Sequence, residues 1–148
     1  MSSATQAKSR LRCYTSDQIP YIWDRVKPHI QKALDRGSNY KIDDIYDGLV
    51  EKEMVLWVWQ ADDCDGKIYA ALVTTIQTQW NEREERHITF CLFIALGGSK
   101  LDEWIQFLPI VEDWARDNGA EEMRIYGRIG WARHIGYDIQ YTKMTKRL

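Results

Sequence analysis

The stretch from His87 to Gly119 constrains the fold of this chain more than any other. It begins HITFCLFIAL, a run with almost no polar break. On a strand, His87, Thr89, Cys91, Phe93 and Ala95 share one face, and Ile88, Phe90, Leu92, Ile94 and Leu96 share the other. A strand that is apolar on both faces is covered on both sides, so the pattern predicts a central strand over His87–Leu96. Gly97-Gly98 punctuates it. Ser99 then reads as a helix N-cap, with Asp102 completing an S-x-x-D capping box. Leu101, Trp104, Ile105, Leu108, Val111 and Ala115 follow at helical spacing and predict one helix over 100–118. Gly119 closes it at C′, and Arg116 in the last turn suits the helix dipole.

A buried strand, a glycine turn and a helix start gather unpaired backbone N–H groups, which is the chemistry of an anion site. The same pattern also serves a plain strand-to-helix turn, in which the glycines answer only to geometry.

Length and composition set the frame. A chain of 148 residues is large enough for a real core and predicts a single domain over 11–148, after a polar, disordered tail over 1–10. No apolar run reaches transmembrane length and no secretory h-region opens the chain, so the expected location is cytoplasmic, with no membrane partner. Cys13, Cys64 and Cys91 are odd in number and widely spaced, which suggests neither a disulfide framework nor a zinc site. The histidines form no H-E-x-x-H, and no metal is expected. Both ends of the chain are basic and the stretch between 37 and 120 is acidic. Basic ends suit an anion, but an acidic middle makes a general nucleic-acid surface unlike this chain.

Taken in order, Leu11–Thr15 reads as a short strand. Ser16 or Asp17 caps a helix with Pro20 in its first turn and an apolar stripe at Ile19, Trp23, Val26, Ile30 and Ala33 or Leu34. Pro28 is expected to kink that helix or split it. A second helix, Lys41–Lys52, turns Ile42, Ile45, Tyr46 and Leu49 inward. Met54–Ala61 then alternates as a strand, DDCDGK carries the hairpin signal Asp65-Gly66, and Ile68–Gln79 is the β-branched return strand. NEREER is a charged turn into the central strand. Glu122–Gly127 is a further strand, parallel to the central one because a helix separates them. A short helix over Ile129–Ile135 and a final strand over Tyr137–Lys146 complete the order β-α-α-β-β-β-α-β-α-β. This is an α/β (α+β) chain with a mixed, mostly antiparallel sheet and helices on both faces.

That order resembles the GNAT superfamily of acyl-CoA-dependent N-acyltransferases. The local match is closest in ARDNGAEEMRIYGRIGWARHIGYDIQYTKMTK, where a helix closes on glycine, a strand follows, and a short helix ends in Gly136-Tyr137. Together with SNYKIDDIYDGL and MVLWVW, the chain looks like small GNAT-like proteins encoded by tailed bacteriophages. The resemblance implies acetyl-CoA or CoA as the cofactor. Its pantetheine arm would lie along the central strand at Phe93 and Ala95, and its diphosphate on the loop Gly97, Gly98, Ser99 and Lys100. It also implies an amine-bearing small molecule or protein as acceptor, in the cytoplasm of an infected bacterium. Two departures stand out. The family's loop reads Gln/Arg-x-x-Gly-x-Gly/Ala, whereas only Leu96-Gly97-Gly98-Ser99 is present here. Many members carry a Tyr general acid four residues before the closing Gly-Phe, and Ala132 occupies that position. The alternative the departures favour is a catalytically degenerate GNAT-fold protein that binds a phage or host protein or is packaged in the virion.

Few side chains are left for chemistry. Tyr126 ends the strand after the long helix and is either a replacement acid or an edge of the core. His87 carries a side chain of the type that serves as a general base and could deprotonate an amine, or it is a surface histidine at a strand end. Cys91 reads as packing. Arg124, Arg128 and Arg133 form a cluster fit for phosphate or an acidic partner, or a solvated face. Trp57, Trp59, Trp104, Trp114 and Trp131 read mostly as core.

Overall fold

The structure is a computed structural model, and it describes residues 9–36, 38–62, 66–125, 137 and 146–147. Among these residues five strands form one sheet in the order β1 (Ser9–Tyr14), β2 (Val55–Ala61), β3 (Ile68–Asn81), β4 (Arg86–Gly98) and β5 (Glu122–Ile125). The first four pair antiparallel, and β4 pairs β5 in parallel with Phe90 opposite Glu122 and Phe93 opposite Ile125. The expected meander and parallel crossover are therefore both present. Strand β1 starts at Ser9, inside the stretch expected to be a disordered tail, because Ser9 and Arg10 pair with Ala61 and Gln60. The expected short helix and last strand, 129–135 and 137–146, fall outside the described residues apart from Tyr137 and Lys146.

Each face of the sheet carries its own core. On one face lie α1 (Ile19–Leu34) and α2 (Ile42–Val50), which bury Ile19, Ile22, Val26, Ile30, Leu34, Ile45 and Leu49 against Leu56, Val58, Ala71, Val73 and Ala95. Pro28 does not split α1. The proline costs one backbone hydrogen bond, about 3 kcal/mol in a helix interior. The buried residues Ile19, Ile22, Val26, Ile30 and Leu34 run through it and hold both halves on the sheet. Trp23 stays outside that stripe and stacks edge-on against Tyr46.

On the other face, Trp57, Trp59, Ala70, Leu72 and Phe93 meet Trp104, Leu108 and Val111. Here the expected single helix is broken. Helix α3 (Leu101–Trp104) passes into a 3₁₀ turn (Ile105–Phe107) and then into α4 (Leu108–Asp117). Pro109 explains the break, since it has no N–H to give the carbonyl of Ile105 and its ring collides there. It sits instead in the first turn of α4, where no donor is needed. Gly119 follows the C-cap residue Asn118 with a φ of +88°, as the C′ position requires.

Two bulges decide what faces where. Trp59 pairs with Ala70 and Gln60 with Ile68, leaving Tyr69 as the extra residue in β3. Val73 pairs with Ala95 and Thr74 with Phe93, leaving Ile94 as the extra residue in β4. An extra residue reverses the alternation beyond it. Phe93 therefore packs towards α4 and Ala95 towards α1, so these two residues do not share a face as strict alternation expects.

Candidate functional site

The C-terminal end of β4 is where the fold leaves backbone groups and charge together. β5 pairs with β4 only as far as Phe93. From Ile94 to Gly98, the edge of β4 away from β3 has no strand partner among the described residues. Ile94 itself has no partner in β3 either. Such an edge offers alternate N–H and C=O groups to an extended, amide-bearing ligand.

The turn that follows differs from the expected cap. Ser99 is not the N-cap of a helix. Its N–H donates to the carbonyl of Tyr69 at 2.8 Å, and its hydroxyl to the same oxygen at 3.4 Å. The cause is that β4 runs on to Gly98, opposite Ala70, so Ser99 is still tied to β3. Lys100 occupies the N-cap position in the left-handed conformation, φ 55°, with no side-chain cap. Asp102 and Glu103 lie in the first turn of α3, where they favour the dipole and disfavour an anion.

The two glycines are accounted for by packing. A Cβ on Gly97 would overlap the carbonyl oxygen of His29 and stand 3.2 Å from the Cβ of Ala33, so this glycine lets α1 lie directly on β4. Gly98 has a φ of +144°, and a Cβ there would overlap the Tyr69 carbonyl and come 2.6 Å from Cα of Ala70. Neither glycine's shape requires a ligand.

Tyr69 is the hub of this end of the sheet, and sequence reading overlooked it. The bulge turns its half-buried ring towards the α4 face, 4.9 Å from the ring of Trp59, which in turn meets Phe107 at 5.4 Å. The ammonium of Lys100 lies 5.1 Å from the centre of the Tyr69 ring, and that of Lys67 lies 5.7 Å from it. The NEREER turn held the clue, because a hairpin there sets residues near 69 opposite Gly98, while the Asp65-Gly66 hairpin sets them opposite Trp59 and Gln60. In the structure the N–H of Ala61 closes this hairpin on the Lys67 carbonyl, and Gly66 has a φ of +56°.

The other sequence candidates fall elsewhere. His87 is exposed at the opposite end of β4, with its ring 5.2 Å from that of Trp80 in a T-shaped contact. At the usual rise it lies about 35 Å along the strand from Gly98. Tyr126, Arg128, Ala132, Arg133 and Trp131 lie outside the described residues. Arg124 is committed internally: its guanidinium lies 3.7 Å from the centre of the Phe90 ring, Nη1 donates to Gln79, and Nε pairs with Glu122 at 2.5 Å. Cys91 is buried, and burial pushes its thiol up to about 12, so it is no nucleophile. Tyr137 donates its hydroxyl to Oε2 of Glu112 at 2.8 Å. Burial first, then that carboxylate, raises its pKa, and it holds its proton. The indole N–H groups of Trp59 and Trp104 are buried without an acceptor among the described residues. Among the described residues no group of His, Cys, Asp and Glu could hold a metal ion, and no helix is long and apolar enough to cross a membrane.

No protein-family profile and no curated protein sequence match this chain. Solved structures do match it, over nearly the whole length of both chains. An aminoglycoside N-acetyltransferase in complex with CoA superposes with a TM-score of 0.66 at 10% identity, covering 97% of this chain and 96% of that one. A predicted acetyltransferase with acetyl-CoA from Clostridium acetobutylicum gives 0.64 at 11%, covering 93% and 96%. A GNAT family acetyltransferase from Staphylococcus aureus gives 0.62 at 12%, covering 97% and 100%. At such identities the likeness is one of fold, and the fold is GNAT-like: a five-stranded mixed sheet with helices on both faces.

Proposed function

We propose that this chain is an acyl-CoA-dependent N-acyltransferase of phage origin, acting on an amine-bearing small molecule or protein. The observation that carries this reading is the edge of β4 from Ile94 to Gly98, which has no strand partner among the described residues and leads into a lysine-bearing turn. The edge suits an amide-bearing arm, and Lys100 suits a phosphate. The likeness to structures holding CoA and acetyl-CoA supports it. The phage assignment rests on the resemblance of SNYKIDDIYDGL and MVLWVW.

Acetyl-CoA supplies the acyl group as a thioester. The chain's own work is to orient that group along Phe93–Gly98 and to exclude water with the aromatic side chains of the α4 face. Tyr126 follows Ile125, the residue paired with Phe93, and is our candidate to hold a proton for the leaving sulfur. His87, far along β4, is the weaker candidate for a base on a long or flexible acceptor. The test is release of the CoA thiol from acetyl-CoA with a panel of amines and basic peptides. A positioned acid contributes about 10²–10⁴-fold, so Tyr126→Phe should slow transfer by that order. Transfer that proceeds at the unchanged rate removes Tyr126 from the mechanism.

A second reading has a specific observation in its favour. Gly97 and Gly98 are explained by packing, and the Ser99 N–H is already used by Tyr69. A GNAT-fold protein that only binds a phage or host protein, inside the cell or in the virion, needs nothing more from this turn. Absence of transfer with every acceptor, together with absence of CoA binding, would favour it.

A further inference from the structure

Lys67 immediately precedes β3 and stands outside the loop that the family resemblance singles out, yet it shares the ring of Tyr69 with Lys100. Both lysines are exposed and Tyr69 is half-buried. Neither ammonium makes an ion pair with a carboxylate among the described residues. Two like charges drawn to one aromatic ring repel each other, and a shared anion would turn that repulsion into attraction. The ring also restrains two long side chains that would otherwise have to be ordered on binding. Tyr69 is itself fixed from behind, since its carbonyl accepts both the N–H and the hydroxyl of Ser99.

We propose that Lys67, Tyr69 and Lys100 form a phosphate-recognising platform that admits ligands carrying a phosphate or diphosphate to the open end of β4. The inference rests on the acyl-CoA reading for the identity of the natural ligand, but the platform's chemistry is that of any phosphorylated ligand. Lys100 comes from the turn after β4 and Lys67 from the residue just before β3, so a phosphate held between them bridges the two strands beyond their last pair, Ala70 and Gly98. Tyr69 is a positioning residue here, acting through the two lysines.

The test is calorimetric titration of the wild-type chain, Lys67→Met and Tyr69→Leu with CoA, 3′,5′-ADP, inorganic pyrophosphate and unphosphorylated pantetheine. Lys67→Met changes an exposed side chain and should leave the melting temperature of the free protein unchanged. Removing one charge-assisted contact should weaken CoA and 3′,5′-ADP by roughly tenfold or more and leave pantetheine unaffected. The dependence of affinity on salt should become shallower. Tyr69→Leu should weaken the same phosphorylated ligands. If Lys67→Met binds CoA and 3′,5′-ADP as tightly as the wild type, the platform is refuted while the acyl-CoA reading stands. If the wild type binds 3′,5′-ADP and pyrophosphate through Lys67 but transfers no acyl group, the platform stands and the acyltransferase reading fails. If no phosphorylated ligand binds, both fail.

Discussion

Replacing Gly97 with alanine tests the packing of α1 on β4 with a single methyl group. The added Cβ would overlap the carbonyl oxygen of His29, lie 3.0 Å from its carbonyl carbon and 3.2 Å from the Cβ of Ala33. Two of these contacts are to backbone, which cannot swing aside as a flexible side chain can. Relief therefore requires the whole helix to retreat by about 1 Å, and a gap of that size forfeits a quarter to a half of each dispersion contact it opens. The residues affected are Val26 and Ile30, both fully buried, and Leu34. Overpacking costs about 1–3 kcal/mol, and a clash against backbone belongs at the upper end. A loss of about 3 kcal/mol, at 2–4 °C per kcal/mol for a chain of this size, lowers the melting temperature by roughly 6–12 °C. Gly119→Ala is the control, because a Cβ there meets nothing within 4 Å among the described residues and the positive φ opposes it. It should cost about 1–2 kcal/mol. Melting followed by circular dichroism, with urea denaturation to check that the m-value is unchanged, reads the difference. If Gly97→Ala melts within 2 °C or so of the wild type, or no lower than Gly119→Ala, the close approach of α1 to β4 is wrong. The same geometry means that Gly98→Val, with a φ of +144° and a backbone overlap, tests folding before it tests ligand binding.

Burial, then Lys32, lowers the pKa of His29 from its usual 6.5. A base depressed in the folded state takes up protons more readily when unfolded, so its contribution is present above about pH 6.5 and is lost as pH falls through the depressed value. Melting temperature should decline across that range, and His29→Gln should flatten the decline. Arg86 and the Thr89 backbone hold Glu121 below its usual range, so the fall it causes belongs at lower pH, under about 4.5. Cys91 should resist a thiol reagent at pH 8 in the native protein and react only on unfolding, as peptide mass mapping would show; rapid native labelling of Cys91 would contradict its burial.

Much of the fold was legible in the sequence, because hydrophobic periodicity reports burial directly. The two-sided run at 87–96, the β-branched return strand from Ile68 and the crossover to Glu122 each fixed an element and its direction. What escaped were effects that depend on one neighbour in space. Alternation places Phe93 with Ala95, but the bulge at Ile94 separates them. Ser99 and Asp102 spell a capping box, but β4 runs two residues further than the hydrophobic pattern and Tyr69 takes the Ser99 donors. Pro109, which was readable, breaks the long helix that the apolar spacing suggested. Of the site, the strand and turn were legible as a place. Tyr69 and Lys67 were not, since their role depends on strand register.

Amide hydrogen exchange on adding millimolar acetyl-CoA tests the central claim most directly, because it reports binding and location together. The account predicts slower exchange in peptides spanning Ile94–Leu101 and in the Lys67–Tyr69 segment, with no change at the far hairpin around Trp80 and His87. Unchanged exchange at Ile94–Leu101, or protection confined to another face of the molecule, would contradict it.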